Sequence, residues 1–203
     1  MNLPDTIKAI QRAVGETPDG KFGPLTAALV WRALNDAPDN EAQPLPDGAG
    51  VDGRSGKALA TLDSKAQDRF IQFYNLANAT AATLGCTYVI IGGNRTWEEQ
   101  DALYERGRTT AGKRVTQAMG GQSNHNFGIA ADFGVFQGST YLDEAKPELA
   151  AKVHKACSLH APACGLEWGG SWKSIVDQPH YEIATGLTMM RKRELYQEKG
   201  SVL

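Results

Sequence analysis

No apolar run in this chain approaches the roughly 20 residues a membrane-spanning helix needs, so the sequence offers no candidate span. The opening residues Met1-Asn2-Leu3-Pro4-Asp5 lack the basic-then-apolar order of a secretory signal. The expectation is therefore a protein made in a (host) cytoplasm that depends on something else for any release. Cysteine is scarce: Cys86, Cys157 and Cys164 are too few and too odd in number for a disulfide framework. A reducing compartment leaves them as buried or half-buried thiols, behaving as small hydrophobes. Charge of one sign is also missing. With 21 basic and 23 acidic residues the formal net charge is -2, which gives no electrostatic reason to expect nucleic acid or an anionic membrane as partner. No internal repeat of 20–50 residues appears. What remains is ordinary: 41% hydrophobic and 22% charged residues in 203, enough for a packed domain with a smaller companion.

The companion is the first 36 residues. Ile7, Ile10 and Val14 recur at helical spacing over residues 5–14, Gly15 follows as a stop, and Thr17-Pro18-Asp19-Gly20 is a turn signal. Pro24 then sits just inside a second helix over residues 25–34, with Leu25, Leu29, Val30 and Leu34 on its apolar side. Two such helices are too small to bury much surface alone. Residues 37–51 carry Pro38, Pro44, Pro46, Gly48 and Gly50, the composition of a linker. The main domain spans residues 52–203.

Within it, Phe70, Phe73, Leu76, Ala77, Thr80 and Leu84 mark a long helix over residues 63–84, ended by Gly85. Thr87-Tyr88-Val89-Ile90-Ile91 is a β-branched and aromatic run, the signature of a buried strand. A short helix over residues 97–106 has Thr96 as N-cap and Glu98 and Glu99 in its first turn, where the helix dipole favours acids. Residues 129–136 read as a strand and 143–157 as a helix. Ile175-Val176 and His180-Tyr181-Glu182-Ile183 read as sheet. The order predicts an α+β fold: a small, mainly antiparallel sheet with flanking helices, preceded by a small all-α unit.

Two stretches carry chemistry: Ser123-Asn124-His125-Asn126-Phe127-Gly128-Ile129-Ala130-Ala131-Asp132-Phe133 and Asp177-Gln178-Pro179-His180-Tyr181-Glu182. His125, Asp132 and His180 offer the three N/O ligands that hydrolytic zinc sites use, with the fourth position kept for water. Gly128, Ala130 and Ala131 leave room for backbone to pass close to an ion. A nearby carboxylate then serves as proton acceptor. Strand alternation puts His180 and Glu182 on one face and Asp177 on the other, which favours Glu182 as that base. Pro179 marks an edge or bulge that brings Asp177 round instead, and Glu167 is a third candidate. A rival site, His154, Cys157, His160 and Cys164, lines up along one side of a helix. Four ligands on one straight face cannot surround an ion, and Pro162 interrupts that helix. Trp168 and Trp172, separated by Gly169-Gly170, are candidates for the cleft wall on the substrate side. The triplet Arg191-Lys192-Arg193, followed by Glu194, reads as a solvated face.

Two resemblances sharpen this reading. Ala9-Ile10-Gln11-Arg12-Ala13-Val14 followed by Pro18-Asp19-Gly20-Lys21-Phe22-Gly23-Pro24-Leu25-Thr26-Ala27-Ala28 resembles the peptidoglycan-binding repeat found beside many wall hydrolases. Gly93-Asn94-Arg95-Thr96 with Glu99-Gln100 and Leu103-Tyr104, then Ser123, His125, Gly128, Ala130 and Asp132-Phe133, then Glu167-Trp168-Gly169-Gly170 with Trp172, and Asp177 with Pro179-His180, resemble the zinc D-Ala-D-Ala carboxypeptidase (VanY-type) family. More narrowly they are similar to its L-alanyl-D-glutamate endopeptidase branch, common among phage endolysins. That resemblance implies Zn²⁺ held by His125, Asp132 and His180, with Asp177 as the base. It also implies that Arg95 meets the developing oxyanion, with Gln100 and Ser123 near the substrate. The expected function is a monomeric hydrolase of bacterial peptidoglycan that cleaves the L-Ala–D-Glu bond and is released through a separate membrane pore. The rivals are a D,D-carboxypeptidase removing terminal D-Ala and a non-catalytic zinc-binding module.

Overall fold

The structure, a computed structural model, describes residues 3–13, 18, 20 and 51–203. Helix α1 (Leu3–Ala13) forms where the Ile7 periodicity predicts it. Ile7 and Gln11 are buried, and the Gln11 side-chain oxygen accepts a hydrogen bond from the Gly20 amide at 3.0 Å. Gly20 has φ +78°, a left-handed conformation that glycine adopts without a Cβ penalty. The expected helix over residues 25–34 and the linker as far as residue 50 lie outside the described residues.

The main domain opens on α2 (Gly53–Ala60), a short helix that hydropathy alone does not announce. Its N-cap is Asp52, whose carboxylate accepts from the Arg54 and Ser55 amides at 2.9 and 3.0 Å. The Ser55 hydroxyl donates to the same carboxylate at 2.5 Å and accepts from the Ile90 amide at 2.9 Å. One buried serine thus ties the cap of α2 to the first strand. Helix α3 (Ser64–Thr83) follows. Its buried face is Ala66, Phe70, Phe73, Tyr74, Ala77 and Ala81, an i, i+4, i+7, i+8 stripe. Each fully buried Phe contributes about 1.5–3 kcal/mol by removal from water. Leu84, expected on that face, is 44% exposed instead, because the helix has ended before it.

Five strands form one antiparallel sheet: β1 (Thr87–Gly92), β2 (Ala130–Gln137), β3 (Thr140–Tyr141), β4 (Glu167–Trp168) and β5 (His180–Glu182), in the order β1-β2-β5-β4, with β3 pairing to β2. Tyr88, Ile90, Phe133, Val135 and Tyr181 point into the core with Phe70 and Phe73 of α3. Because side chains alternate along a strand, the neighbours Asp132 and His180 face the other way. They are register partners across β2 and β5. That pairing sets the site.

Helix α4 (Trp97–Glu105) carries a full capping box. The Glu99 amide donates to Thr96 Oγ1 at 3.1 Å and the Thr96 amide to Glu99 Oε2 at 2.8 Å. The helix expected over residues 143–157 is two helices, α5 (Leu142–Ala145) and α6 (Pro147–Ser158). Pro147 is the cause. It lacks an N–H and keeps Lys146 out of the helical region (φ -146°, ψ 68°). Ile175 and Val176 are not sheet; they sit in a loop, 53% and 63% exposed. A last helix, α7 (Met189–Lys199), is capped by Thr188 and ended by Gly200.

The rival His/Cys cluster does not form. His154 is spent in the core, with Nδ1 2.6 Å from the Tyr88 hydroxyl and Nε2 2.6 Å from Asp143 Oδ1. His160 Nε2 lies 2.7 Å from Thr80 Oγ1. All three cysteines are free and buried, and burial pushes the Cys157 and Cys164 thiols up to about 12, so they stay protonated. Among the described residues no helix is long and apolar enough to cross a membrane.

Candidate metal centre

His125 sits on a single 3-10 turn, Asn124–Phe127. The Asn126 side-chain oxygen accepts from the Gly121 and Ser123 amides at 3.0 and 3.2 Å, and Ser123 Oγ accepts from the His125 amide at 3.4 Å. Ser123, expected near the substrate, lines the cleft and is also the cap that sets His125. Gly128 closes the turn at φ +67°. A Cβ there would lie 2.5 Å from the Asp63 amide nitrogen. The missing side chain therefore serves backbone packing against Asp63.

His125 Nε2, Asp132 Oδ1 and His180 Nδ1 form a nearly equilateral triangle: 3.2 Å between the two nitrogens, 3.2 Å from His125 to Asp132, and 3.3 Å from His180 to Asp132. A tetrahedral ion with ligand bonds near 2.0 Å requires ligand–ligand edges of about 3.3 Å. The outer ring nitrogens are already committed. His125 Nδ1 donates to the Gly93 carbonyl at 2.8 Å and His180 Nε2 to Glu182 Oε2 at 2.8 Å. In the neutral rings this leaves two bare lone pairs and a carboxylate converging with no donor among them, an arrangement that calls for a cation. Among the described residues these are the three His/Cys/Asp/Glu side chains whose donor atoms gather within 4.8 Å of one another.

The electrostatics agree. Burial works against ionised Asp132, but both imidazoles outweigh it and hold its carboxyl far below the usual range. Burial lowers His180, yet hydrogen bonds to Asp132 and Glu182 raise it to about 9.

Glu182 is therefore not the base that strand alternation favours; it orients His180. A buried chain stands behind it. Burial opposes ionised Glu182, while hydrogen bonds from His180 and Asn124 and the charge of Lys192 keep it deprotonated. Lys192 Nζ donates to Asn124 Oδ1 at 2.7 Å. Lys192 is only 6% exposed, which corrects the reading of residues 191–193 as a solvated face. Arg191 does face solvent, paired with Glu194. Nothing in the local sequence marks Lys192 as buried, whereas the His180-x-Glu182 spacing does place those two together.

Asp177 is not part of β5. The Asp177 amide donates to the Gly169 carbonyl at 3.1 Å, and the His180 amide donates back to the Asp177 carbonyl at 3.3 Å. This turn through Pro179 curls the acid to the cleft that the triangle lines. Burial, then the charge of Asp132, push its pKa up against the pull of the two imidazoles. A Cβ on Gly169 would lie 2.6 Å from the Asp177 carbonyl oxygen, so that glycine is dictated by close approach. Trp168 Nε1 donates to the Gln178 carbonyl at 2.7 Å, fastening the same turn rather than lining the cleft. Trp172 does line it, its ring 5.0 Å from that of His180. Glu167 is exposed at the β4 edge.

Arg95 reaches Asp132 Oδ2 at 3.8 Å and donates to Gln100 Oε1 at 2.7 Å. Gln100 is fully buried, its amide nitrogen donating to the Ala118 carbonyl at 2.8 Å. It has no surface to offer a substrate and acts on the site by holding Arg95. The whole cleft has a volume of about 990 Å³.

An open acceptor triangle with a carboxylate at its rim, on a small antiparallel sheet, is the donor set that hydrolytic metal sites use. Residues 116–183 match the family described as D-alanyl-D-alanine carboxypeptidase. Over 114 residues it is 41% identical to the peptidoglycan L-alanyl-D-glutamate endopeptidase CwlK of Bacillus subtilis (strain 168), a match covering 52% of this chain and 65% of that relative. The chain thus spans less than two thirds of the relative's length. Among solved structures, the Serratia marcescens L-Ala D-Glu endopeptidase ChiX aligns with TM-score 0.47 and 21% identity, over 65% of this chain and 87% of that one. A mutant of the vancomycin-resistance D,D-pentapeptidase VanY from a VanB-type cassette, in complex with Zn(II), aligns with TM-score 0.41 and 14% identity, over 69% and 80%.

Proposed function

We propose that this chain is a zinc peptidase that hydrolyses the L-Ala–D-Glu bond of the peptidoglycan stem peptide. The observation that carries the metal is the triangle of acceptors, with edges of 3.2–3.3 Å and both outer ring nitrogens already engaged. The bond is named by likeness to the Bacillus subtilis endopeptidase.

His125, Asp132 and His180 would hold the ion. Zinc, when bound in such a site, acidifies water and polarises the carbonyl it meets. The chain's own groups do the rest. Asp177, at the cleft with a raised pKa, accepts a proton from the attacking water and returns it to the departing amine. Arg95 presents a guanidinium to the carbonyl oxygen as its charge grows, a contact stronger in the transition state than in the ground state. Gln100 keeps that guanidinium aimed, and Trp172 walls the cleft beside His180. A proton-transfer carboxylate, Asp177, beside an oxyanion-stabilising guanidinium, Arg95, supports an enzyme over a non-catalytic binding module.

The test is digestion of purified walls with and without chelator, followed by identification of the new amino termini. Chelator-sensitive release exposing D-Glu amines supports the reading. Release of D-Ala alone would favour the D,D-carboxypeptidase reading that the family description carries. A lysin released through a separate pore, with residues 1–36 as its wall-binding unit, is the cellular role we attach to this activity.

A further inference from the structure

The cleft is not evenly charged. Its acids, Asp132, Asp177 and Glu182, gather at the triangle, whereas Arg106, Arg108 and Arg114 line the other part. Among the described residues none of these three arginines has a carboxylate within 4.0 Å. Arg108 is built in. Its guanidinium lies 3.8 Å over the Tyr104 ring, donates to the Tyr104 carbonyl, and donates to the Thr116 carbonyl at 3.1 Å. It thereby clips the loop between α4 and Thr116 into a rim.

Gly107, at φ +71°, lets the two sides of that rim close. A Cβ there would lie 2.7 Å from the Arg114 amide nitrogen and 2.8 Å from the Gly112 carbonyl. Arg106 and Arg114 are exposed and both line the cleft from this tight loop, where Arg114 Nε donates to the Gly107 carbonyl at 3.5 Å. Cleft-lining guanidiniums without a carboxylate partner suit an anion that arrives from outside.

We propose that Arg106 and Arg114 form a carboxylate-binding subsite that recognises the free carboxylates of the stem peptide. This rests on the reading of the chain as a stem-peptide hydrolase. The chemistry suits it. A D-Glu joined through its side-chain carboxyl keeps its α-carboxylate free, and the peptide ends in a second one. A guanidinium takes such a group with two parallel N–H bonds.

The test uses the full chain and four synthetic stem peptides: free acid, amidated at the D-Glu α-carboxyl, amidated at the terminus, and amidated at both. Binding is measured by calorimetry for wild type, Arg106→Ala, Arg114→Ala, the double variant and Arg114→Glu. The expected result is a roughly tenfold weaker binding of the free acid by the double variant, the scale of two exposed charge contacts. A greater loss is expected for Arg114→Glu, and no difference between proteins for the doubly amidated peptide. The single amidation that removes the variant's deficit identifies which carboxylate is read. Equal binding of the free acid by wild type and double variant overturns the subsite, as does an equal deficit on the doubly amidated peptide. So does a failure of wild type to bind the free acid. Cleavage of the same peptides is scored separately: binding through the rim without cleavage would sink the hydrolase reading, and cleavage without rim dependence would sink the subsite alone.

Discussion

Glu182 Oε2 lies 2.8 Å from His180 Nε2, and that contact decides which nitrogen of the ring faces the triangle. The carboxylate fixes the tautomer, turns Nδ1 inward and raises the basicity of the ring. Behind it stand Asn124 and the buried ammonium of Lys192.

Replacing that carboxylate tests its role. Glu182→Gln should weaken zinc binding by roughly 10- to 100-fold, the usual consequence of losing an outer partner of a ligating histidine. Lys192→Met should weaken it less, since its influence passes through two residues. Chelator competition measures both, and circular dichroism verifies the fold. Zinc affinity unchanged in Glu182→Gln would show that the ring holds its orientation without the acid.

The turn that presents Asp177 makes a separable prediction. Asp177→Asn should lower kcat by roughly 10²- to 10⁴-fold, the span of a lost proton-transfer group, with zinc content unchanged. Gly169→Ala should also cost activity, because its Cβ would meet the Asp177 carbonyl at 2.6 Å and His180 Cβ at 3.1 Å. Steady-state kinetics with metal analysis decides. A Gly169→Ala enzyme of wild-type rate would mean the turn shifts freely.

Removing metal should destabilise the domain. A ligand bound only by the native state adds about 2.7 kcal/mol at 100-fold excess over its Kd. Thermal unfolding in chelator should therefore show a lower Tm than in zinc, and the gap should vanish in His125→Ala. A gap that persists in that variant would place the stabilising ion elsewhere.

The cap at Asp52 predicts a pH effect away from the site. Burial raises its pKa, but hydrogen bonds from Ser55, Tyr74 and Arg54 win, and the folded value lies below the ordinary 3.8. A depressed carboxylate binds fewer protons when folded. Its stabilisation is therefore complete above the unfolded pKa and is lost as pH falls through the folded one. Urea unfolding followed downward from about pH 6 should show Asp52→Asn losing less stability than wild type in the acid limb. Asp52→Ala should cost about 1 kcal/mol at neutral pH. Parallel pH curves for wild type and Asp52→Asn would remove the carboxylate from this account.

Local rules read much of the fold. The stripe through Phe70 and Phe73, the β-branched run at 87–91 and the Thr96 cap each depend on neighbours within a few residues, and α3, β1 and α4 stand where they should. They fail where a contact comes from afar or a proline intervenes. Pro147 splits one expected helix, Ile175 and Val176 have the composition of a strand but no strand to pair with, and Lys192 is buried by what packs over it.

For the site, the residue types alone were enough to nominate two imidazoles and a carboxylate, because few side chains offer ligand atoms of that kind. Their convergence belongs to the tertiary structure. His125 and His180 are 55 positions apart, and only the pairing of β2 with β5 sets Asp132 opposite His180. The same holds for Asp177. An ideal strand puts it on the face opposite His180, Pro179 signals a break there, and a turn held by Gly169 and Trp168, a long-range hydrogen-bonding decision, brings it to the cleft.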